Sequence, residues 1–266
     1  MRQHPKFIAL LQYLAFTAMI TMNSLANSLP LNGYTTGAVS GFYPNFFVPA
    51  GFTFSIWGVI YLLLLLWVIG SGRQLWINVP GTVLQRHSLA VSSYFLLSSV
   101  LNGLWIVAWH YLYVTTSLFI MLALLATLIM AYKSLQQNKT VITGVNRFVY
   151  YLPFVVYLAW ISVAAIANTT ALLVHLQWAG WGLAPEAWSV VLIVIAVLLS
   201  GWFGLARGEI AYTFVTAWAF WGIYKGQSPV SQMVGYAALS ACICVLAVGV
   251  YGWWRIKSKA SINGVL

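Results

Sequence analysis

The chain reads as an all-α integral membrane protein with about eight transmembrane helices. Three observations predict this. Hydrophobic residues make up 62% of the 266, charged residues only 5%, and the mean hydropathy is +0.90, whereas a soluble domain carries about 25% charged residues. Apolar runs recur at roughly 7–27, 51–71, 89–110, 113–132, 148–174, 188–206, 209–224 and 233–254, and about 20 such residues suffice to cross a bilayer. Threading these runs alternately puts eleven of the twelve Lys and Arg residues on one side: Arg2, Lys6, Arg73, Arg86, Lys133, Lys139, Arg147, Arg207, Arg255, Lys257 and Lys259, with Lys225 alone on the other. Such a bias in short loops sets orientation. Both termini are therefore expected in the cytoplasm, with the chain in the cell (inner) membrane. Removing one span would scatter the later charges over both faces.

Each element has its own justification. Arg2 and Lys6 precede the first span, and Ser24-Leu25-Ala26 resembles a signal-peptide cleavage site. The run from Phe7 to Met22 is longer than a usual signal core, so a retained helix is expected. Residues 28–50, SLPLNGYTTGAVSGFYPNFFVPA, form the longest connection and carry no charge. Long loops are usually functional or disordered, and disordered segments lack aromatics. The rings of Tyr34, Phe42, Tyr43, Phe46 and Phe47, set among glycines and prolines, therefore suggest a lid packed on the outer helix ends. The alternative is a segment lying among the headgroups. The loops 72–88 and 133–147 hold charges and read as solvated connections. A tight turn at His110–Tyr113 joins the third and fourth spans. Cys242 and Cys244 point to nearly opposite faces of the last helix at about 100° per residue, which argues against a disulfide or shared metal site between them and suits packing.

Several spans carry aromatic and amide stripes. Phe54, Trp57 and Tyr61 follow i, i+3, i+7 in the second. Asn102, Trp105 and Trp109 repeat that spacing in the third, and Tyr157, Trp160, Ala164 and Asn168 line one face of the fifth. Phe214, Trp218 and Trp221 share a face of the seventh. Interfacial aromatics are common in membrane proteins, and that explanation suits Trp109, Trp178, Trp181, Trp253 and Trp254. It does not suit Trp160, near mid-span. Asn102 and Asn168 need hydrogen-bond partners in the hydrocarbon region and so should face the bundle interior. An inward face of Trp, Tyr and Asn suits a flat, largely apolar ligand with a few polar atoms; simple helix–helix bonding is the alternative for the asparagines.

Catalytic chemistry is scarce. Glu186 and Glu209 are the only carboxylate side chains, so a general acid–base pair or a carboxylate metal cluster is hard to build, and an enzyme is disfavoured. Glu209 opening a helix and Arg207 closing one suit their helix dipoles; the rival reading is a gating ion pair. His110 and His175 could ligate a haem iron, but interfacial histidines are commoner. The net charge of +10 sits at helix ends, where anionic lipid rather than nucleic acid accounts for it.

Tyr157-x2-Trp160-x-Ser162-x-Ala164-x3-Asn168 resembles the fifth-helix signature of the tryptophan-rich sensory proteins, the TspO/MBR family that includes the translocator protein. Pro49-Ala-Gly51-Phe-Thr-Phe54-Ser-Ile-Trp57-x3-Tyr61 is similar to that family's entry into its second helix, and Leu101-Asn102-x2-Trp105 to its third. The resemblance covers about 7–174. It implies a TspO-like five-helix membrane core, residues 1–174, with a ligand pocket beneath the first loop, and a three-helix extension, residues 175–266, packed on it. Members are associated with porphyrins and other tetrapyrroles. Two departures are plain: the three additional helices, and a first loop without the Trp that members commonly carry.

The expected protein is thus a membrane receptor or sensor that binds a flat hydrophobic ligand such as a porphyrin or other tetrapyrrole, haem included, with no required cofactor and no metal. The alternative is a transporter of tetrapyrroles, lipids or other small hydrophobic molecules. The expected ligand-binding residues are Phe54, Trp57, Tyr61, Asn102, Trp105, Tyr157, Trp160 and Asn168, and the expected lid is Tyr34, Phe42, Tyr43 and Phe46. Membrane lipid and a small hydrophobic ligand are the expected partners; a homodimer is left open and nucleic acid is not expected.

Overall fold

The computed structural model describes residues 4–77, 82–137 and 142–262. Arg2 and Lys139 of the charge pattern lie outside these residues, as does the side chain of Lys259. The described residues contain helices and no strand. Eight helices are long: α1 (Pro5–Ser28), α3 (Ile56–Ile77), α4 (Val83–His110), α5 (Val114–Gln136), α7 (Leu152–His175), α8 (Pro185–Arg207), α9 (Ile210–Gln227) and α10 (Gln232–Ile262). Two are short, α2 (Thr36–Ser40) and α6 (Gly144–Tyr150).

Seven of the long helices are long and apolar enough to cross a membrane by length and composition. The eighth, α9, has 18 residues, which at 1.5 Å per residue reach about 27 Å. Its Tyr, Trp, Thr, Lys225 and Gln227 dilute its hydropathy. Its apolar and hydroxyl groups are largely buried against protein, so it needs less apolar surface than a lipid-facing helix. Helices also run further than the apolar runs. The charged connection expected at 72–88 is mostly helix, because α3 runs past Arg73 to Ile77 and α4 starts at Val83, ahead of Arg86; Lys133 lies in the last turn of α5 and Arg147 on α6. Charged last turns leave the hydrocarbon without leaving the helix.

By contacts the chain falls into two compact units. Unit 1 comprises Met1–Val39 and Ser55–Ile161, and unit 2 comprises Ser40–Phe54 and Ser162–Leu266. The boundary falls inside α7, N-terminal to the 174/175 division drawn from the resemblance.

In unit 1, α1 packs on α3 and α4, and α4 on α5. Register is set by buried polar pairs. The Gln12 amide donates to Ser92 Oγ at 2.8 Å and accepts from Ser71 at 3.2 Å. Eleven residues further along α1, Asn23 bonds to Asn102. Two pairs with nearly the same sequence offset make α1 and α4 parallel and in register. In the same region α1 meets the far end of α3: a Cβ at Gly72 would collide with the Tyr13 hydroxyl, and the Lys6 ammonium lies 5.6 Å from the Trp76 ring centre. Those helices are therefore antiparallel. Lys6, Arg73 and Arg86 thus gather at one end of the unit, as the charge pattern required of them. α4 turns into α5 through Leu112, whose left-handed φ of 62° lets Tyr113 N bond to Ala108 O at 2.9 Å.

In unit 2, α10 packs on α8 and α9. α8 opens with Pro185 and Glu186 and closes with Arg207 and Gly208, the arrangement that a helix dipole and a left-handed cap favour. Gly208 at φ 66° lets Glu209 N reach Phe203 O at 3.1 Å. Small residues bring α8 and α10 close, since a Cβ at Gly252 would collide with Gly204 O. Arg255 donates to Leu205 O, so Arg207 and Arg255 share an end of this unit while Lys225 closes α9 at the other. Cys242 is buried and Cys244 exposed, as their spacing predicts. Exposed Leu62, Ile69, Leu97, Val100 and Phe119 in unit 1, and Val194, Leu198 and Ile243 in unit 2, are what a bilayer would cover.

Candidate functional site

α3, α4 and α7 each present two rings to one place in unit 1. Trp57 and Tyr61 are one turn apart on α3, Trp105 and Trp109 one turn apart on α4, and Tyr157 and Trp160 three residues apart on α7, spacings that align side chains on a helix face. Trp57 is the hub. Its ring centre lies 5.4 Å from Tyr61, with the planes 18° apart. Trp105 is at 6.2 Å, Tyr157 at 6.0 Å and Trp160 at 6.2 Å, the last two edge-on. Trp109 stacks on Trp105 at 6.0 Å. These are the offset and edge-to-face separations that aromatic pairs prefer.

Beneath the rings runs a short amide chain. Asn23 Nδ2 donates to Asn102 Oδ1 at 2.7 Å and to Met19 O at 2.9 Å. Asn102 Nδ2 donates to the Tyr157 hydroxyl at 3.0 Å, and the Tyr61 hydroxyl is buried beside Asn102 and Tyr157. Asn102 and Tyr157 are fully buried. The indole N–H of Trp105 is buried with no acceptor among the described residues. The cluster offers flat apolar faces, hydroxyls and amides, and none of its members is an acid or base near neutral pH.

Six of the eight expected site residues, Trp57, Tyr61, Asn102, Trp105, Tyr157 and Trp160, come together here. Phe54 and Asn168 belong to unit 2, half-buried and buried respectively. Trp109, read from sequence as an interfacial residue, is buried at 6% exposure and extends the cluster; its N–H reaches Thr36 O at 3.2 Å, so tertiary packing overrides the interface preference. Asn23 was missed, although it is an amide in an apolar run and the argument applied to Asn102 applies to it equally. His110 has both ring nitrogens engaged, Nδ1 with Ile106 O at 2.8 Å and Nε2 with Thr36 Oγ1 at 3.4 Å. Haem ligation there would have to break a structural contact. Among the described residues no three His, Cys, Asp or Glu side chains gather.

Of the expected lid, Tyr34 is exposed in unit 1, while Phe42, Tyr43 and Phe46 belong to unit 2. Phe42 is exposed and Tyr43 buried, its ring edge-on to His175 at 6.0 Å; burial raises its phenol above the usual range. The 48–53 stretch is fastened to α9. Ala50 N donates to Gly222 O at 2.9 Å, Trp218 Nε1 to Thr53 O at 2.9 Å, and Gln227 Nε2 to Val48 O at 2.7 Å. Gly222 and Gly226, one turn apart, permit this approach: a Cβ at Gly222 would strike Thr53 Oγ1, and one at Gly226 would lie 2.9 Å from Ala50 N. The face expected of Phe214, Trp218 and Trp221 divides accordingly, Trp218 turning to the loop while Phe214 and Trp221 are exposed.

The model of one family, described as TSPO-like protein, matches residues 9–251. The chain belongs to the TSPO-like family. Comparison with curated proteins and with solved structures gave no match. The match runs through α8, α9 and most of α10, beyond residue 174, where the motifs recognisable in the first five spans end. Membership makes this TSPO-like chain an integral multi-pass membrane protein of the sensor or transporter type.

Proposed function

We propose that the protein is a receptor or sensor that holds a flat hydrophobic ligand, a porphyrin or other tetrapyrrole, against the ring cluster of unit 1. The observation that carries this reading is the convergence of Trp57, Tyr61, Trp105, Tyr157 and Trp160 around the buried Asn102 amide. A macrocycle would replace ring–ring contacts with ring–macrocycle contacts of the same kind, and the Trp105 N–H would find an acceptor in a ring nitrogen or a substituent. The ligand is cargo or signal and not a required cofactor. The surrounding lipid is the other partner, and both termini face the cytoplasm.

Porphyrin quenching of tryptophan fluorescence tests the reading. Ring stacking is worth about 0.5–1.5 kcal/mol beyond burial, and losing an indole also removes apolar area at about 25 cal/mol per Å². Trp160→Ala should therefore weaken binding by about one to two orders of magnitude, or about 1.4–2.8 kcal/mol. Trp253→Ala, on an exposed ring under Lys257, should leave it unchanged. Both variants must be folded and equally abundant. Equal affinity in the two would remove the cluster from ligand binding. Net porphyrin flux into sealed liposomes would favour the transporter.

A further inference from the structure

Unit 2 contains a cavity of about 810 Å³, within the range of about 300–1,000 Å³ of small-molecule sites. Three stretches wall it: the 41–48 loop, the end of α7 with the turn after it, and the first two turns of α8. Gln227 at the end of α9 and Val230 just beyond it close it. Its shape is held by interactions independent of any ligand. The Trp188 indole donates to Gly180 O at 2.6 Å, with the rings of Trp178 and Trp181 at 5.0 and 5.6 Å. These contacts hold the 176–184 turn, in which Gln177 and Trp181 take left-handed φ of 52° and 50°. Across the cavity, Gln227 Nε2 grips Val48 O at 2.7 Å.

The lining has a definite chemistry. Among the described residues no charged side chain contributes to it, and the walls are largely aliphatic and aromatic. Two polar side chains are more than nine-tenths buried there. Ser189 is 3% exposed and Gln227 9% exposed. Among the described residues, neither the Ser189 hydroxyl nor the Gln227 Oε1 has a protein hydrogen-bond partner. Groups buried to this degree are normally paired. A hydroxyl and a carbonyl oxygen that line a cavity without protein partners are ready for a ligand group that both donates and accepts. An anionic head would meet no cation, and a cationic one no carboxylate, so burying either charge would be unfavourable.

We propose that this cavity binds an uncharged amphiphile: a single hydroxyl head bonded at Ser189 or Gln227, and an aliphatic body against Phe46, Leu173, Trp188 and Leu192. The site lies wholly in unit 2 and shares no residue with the ring cluster, so either can fail without the other.

Photolabelling of the full chain in nanodiscs tests this, with a hexadecanol carrying a mid-chain diazirine as the probe and peptide mass spectrometry as the readout. Labelling should concentrate on residues 41–48 and 170–192. It should saturate, and unlabelled hexadecanol should compete while hexadecanoic acid at pH 8 competes poorly. Ser189→Ala removes only the hydroxyl and should lower labelling by up to about ten-fold. Leu173→Trp fills the cavity and should abolish it, while leaving porphyrin quenching at the ring cluster unchanged. Three results would each overturn the site: labelling that does not saturate and follows the lipid-facing helices, equal competition by the acid, or labelling indifferent to both variants in folded protein.

Discussion

Asn102 is a side chain on which three helices depend. Its carbonyl oxygen accepts from Asn23 on α1 and its amide nitrogen donates to Tyr157 on α7, from its own place on α4. Asn102→Leu keeps the volume and removes both functions, leaving an Asn23 N–H to rely on Met19 O alone. Interhelical hydrogen bonds in membrane proteins are worth about 0.6–2 kcal/mol each. Thermal unfolding of the purified variant should therefore show a loss of about 1–3 kcal/mol, since a stranded buried partner adds its own desolvation cost. The double variant Asn23→Leu with Asn102→Leu should lose less than the sum of the two singles, because the Asn23–Asn102 bond is counted in both. Strict additivity would mean that the two amides do not interact.

Glycine spacing decides how two elements of unit 2 meet their neighbours. α9 carries Gly222 and Gly226 where the 48–53 stretch crosses it, and Thr53 occupies the space a Gly222 methyl would need. Gly222→Ala should lift the stretch from α9, at the cost of about 1–3 kcal/mol that overpacking usually brings. Limited proteolysis should then cut within 41–54 faster than in the parent, with helix content unchanged. Where α8 crosses α10 the obstruction is backbone: a Gly252 methyl would meet Gly204 O and crowd Leu205 Cα. Backbone cannot rotate aside as Thr53 can, so Gly252→Ala should lower the thermal midpoint more than Gly222→Ala. The reverse ranking would place the tighter contact at the loop.

Charge governs the molecule as a whole. Within unit 1, Lys6, Arg73 and Arg86 share an end, and within unit 2 Arg207 shares one with Arg255, opposite Lys225. Positive-inside bias then predicts that those ends, and both termini, are cytoplasmic. Single cysteines in a Cys242→Ala, Cys244→Ala background give the readout. A cysteine at Lys225 should react with an impermeant maleimide from outside intact cells, and cysteines at Lys6 and Lys257 should react only after the membrane is opened. Outside labelling at Lys257 would overturn the even count and make α9 a helix that does not span.

The membrane class, the order of the helices and the stripe residues Trp57, Trp105, Tyr157 and Trp160 were legible from sequence, because hydropathy and the helical period act locally and need no partner to be read. The turn at His110–Tyr113 and the opposed faces of Cys242 and Cys244 were legible for the same reason. Asn23 could have been read and was not. Other features depend on what a residue meets. Trp109 could have lain at an interface, and only its stack on Trp105 puts it in the cluster. Gly222 and Gly226 look like any membrane-helix glycines until Thr53 and Ala50 occupy the space above them. Ser189 and Gln227, far apart in the chain, line one cavity only once the 41–48 loop, α7, α8 and the end of α9 are folded around it. Local periodicity determines which face of a helix is special; tertiary structure determines what that face touches, because the partners lie tens to hundreds of residues away and leave no local trace.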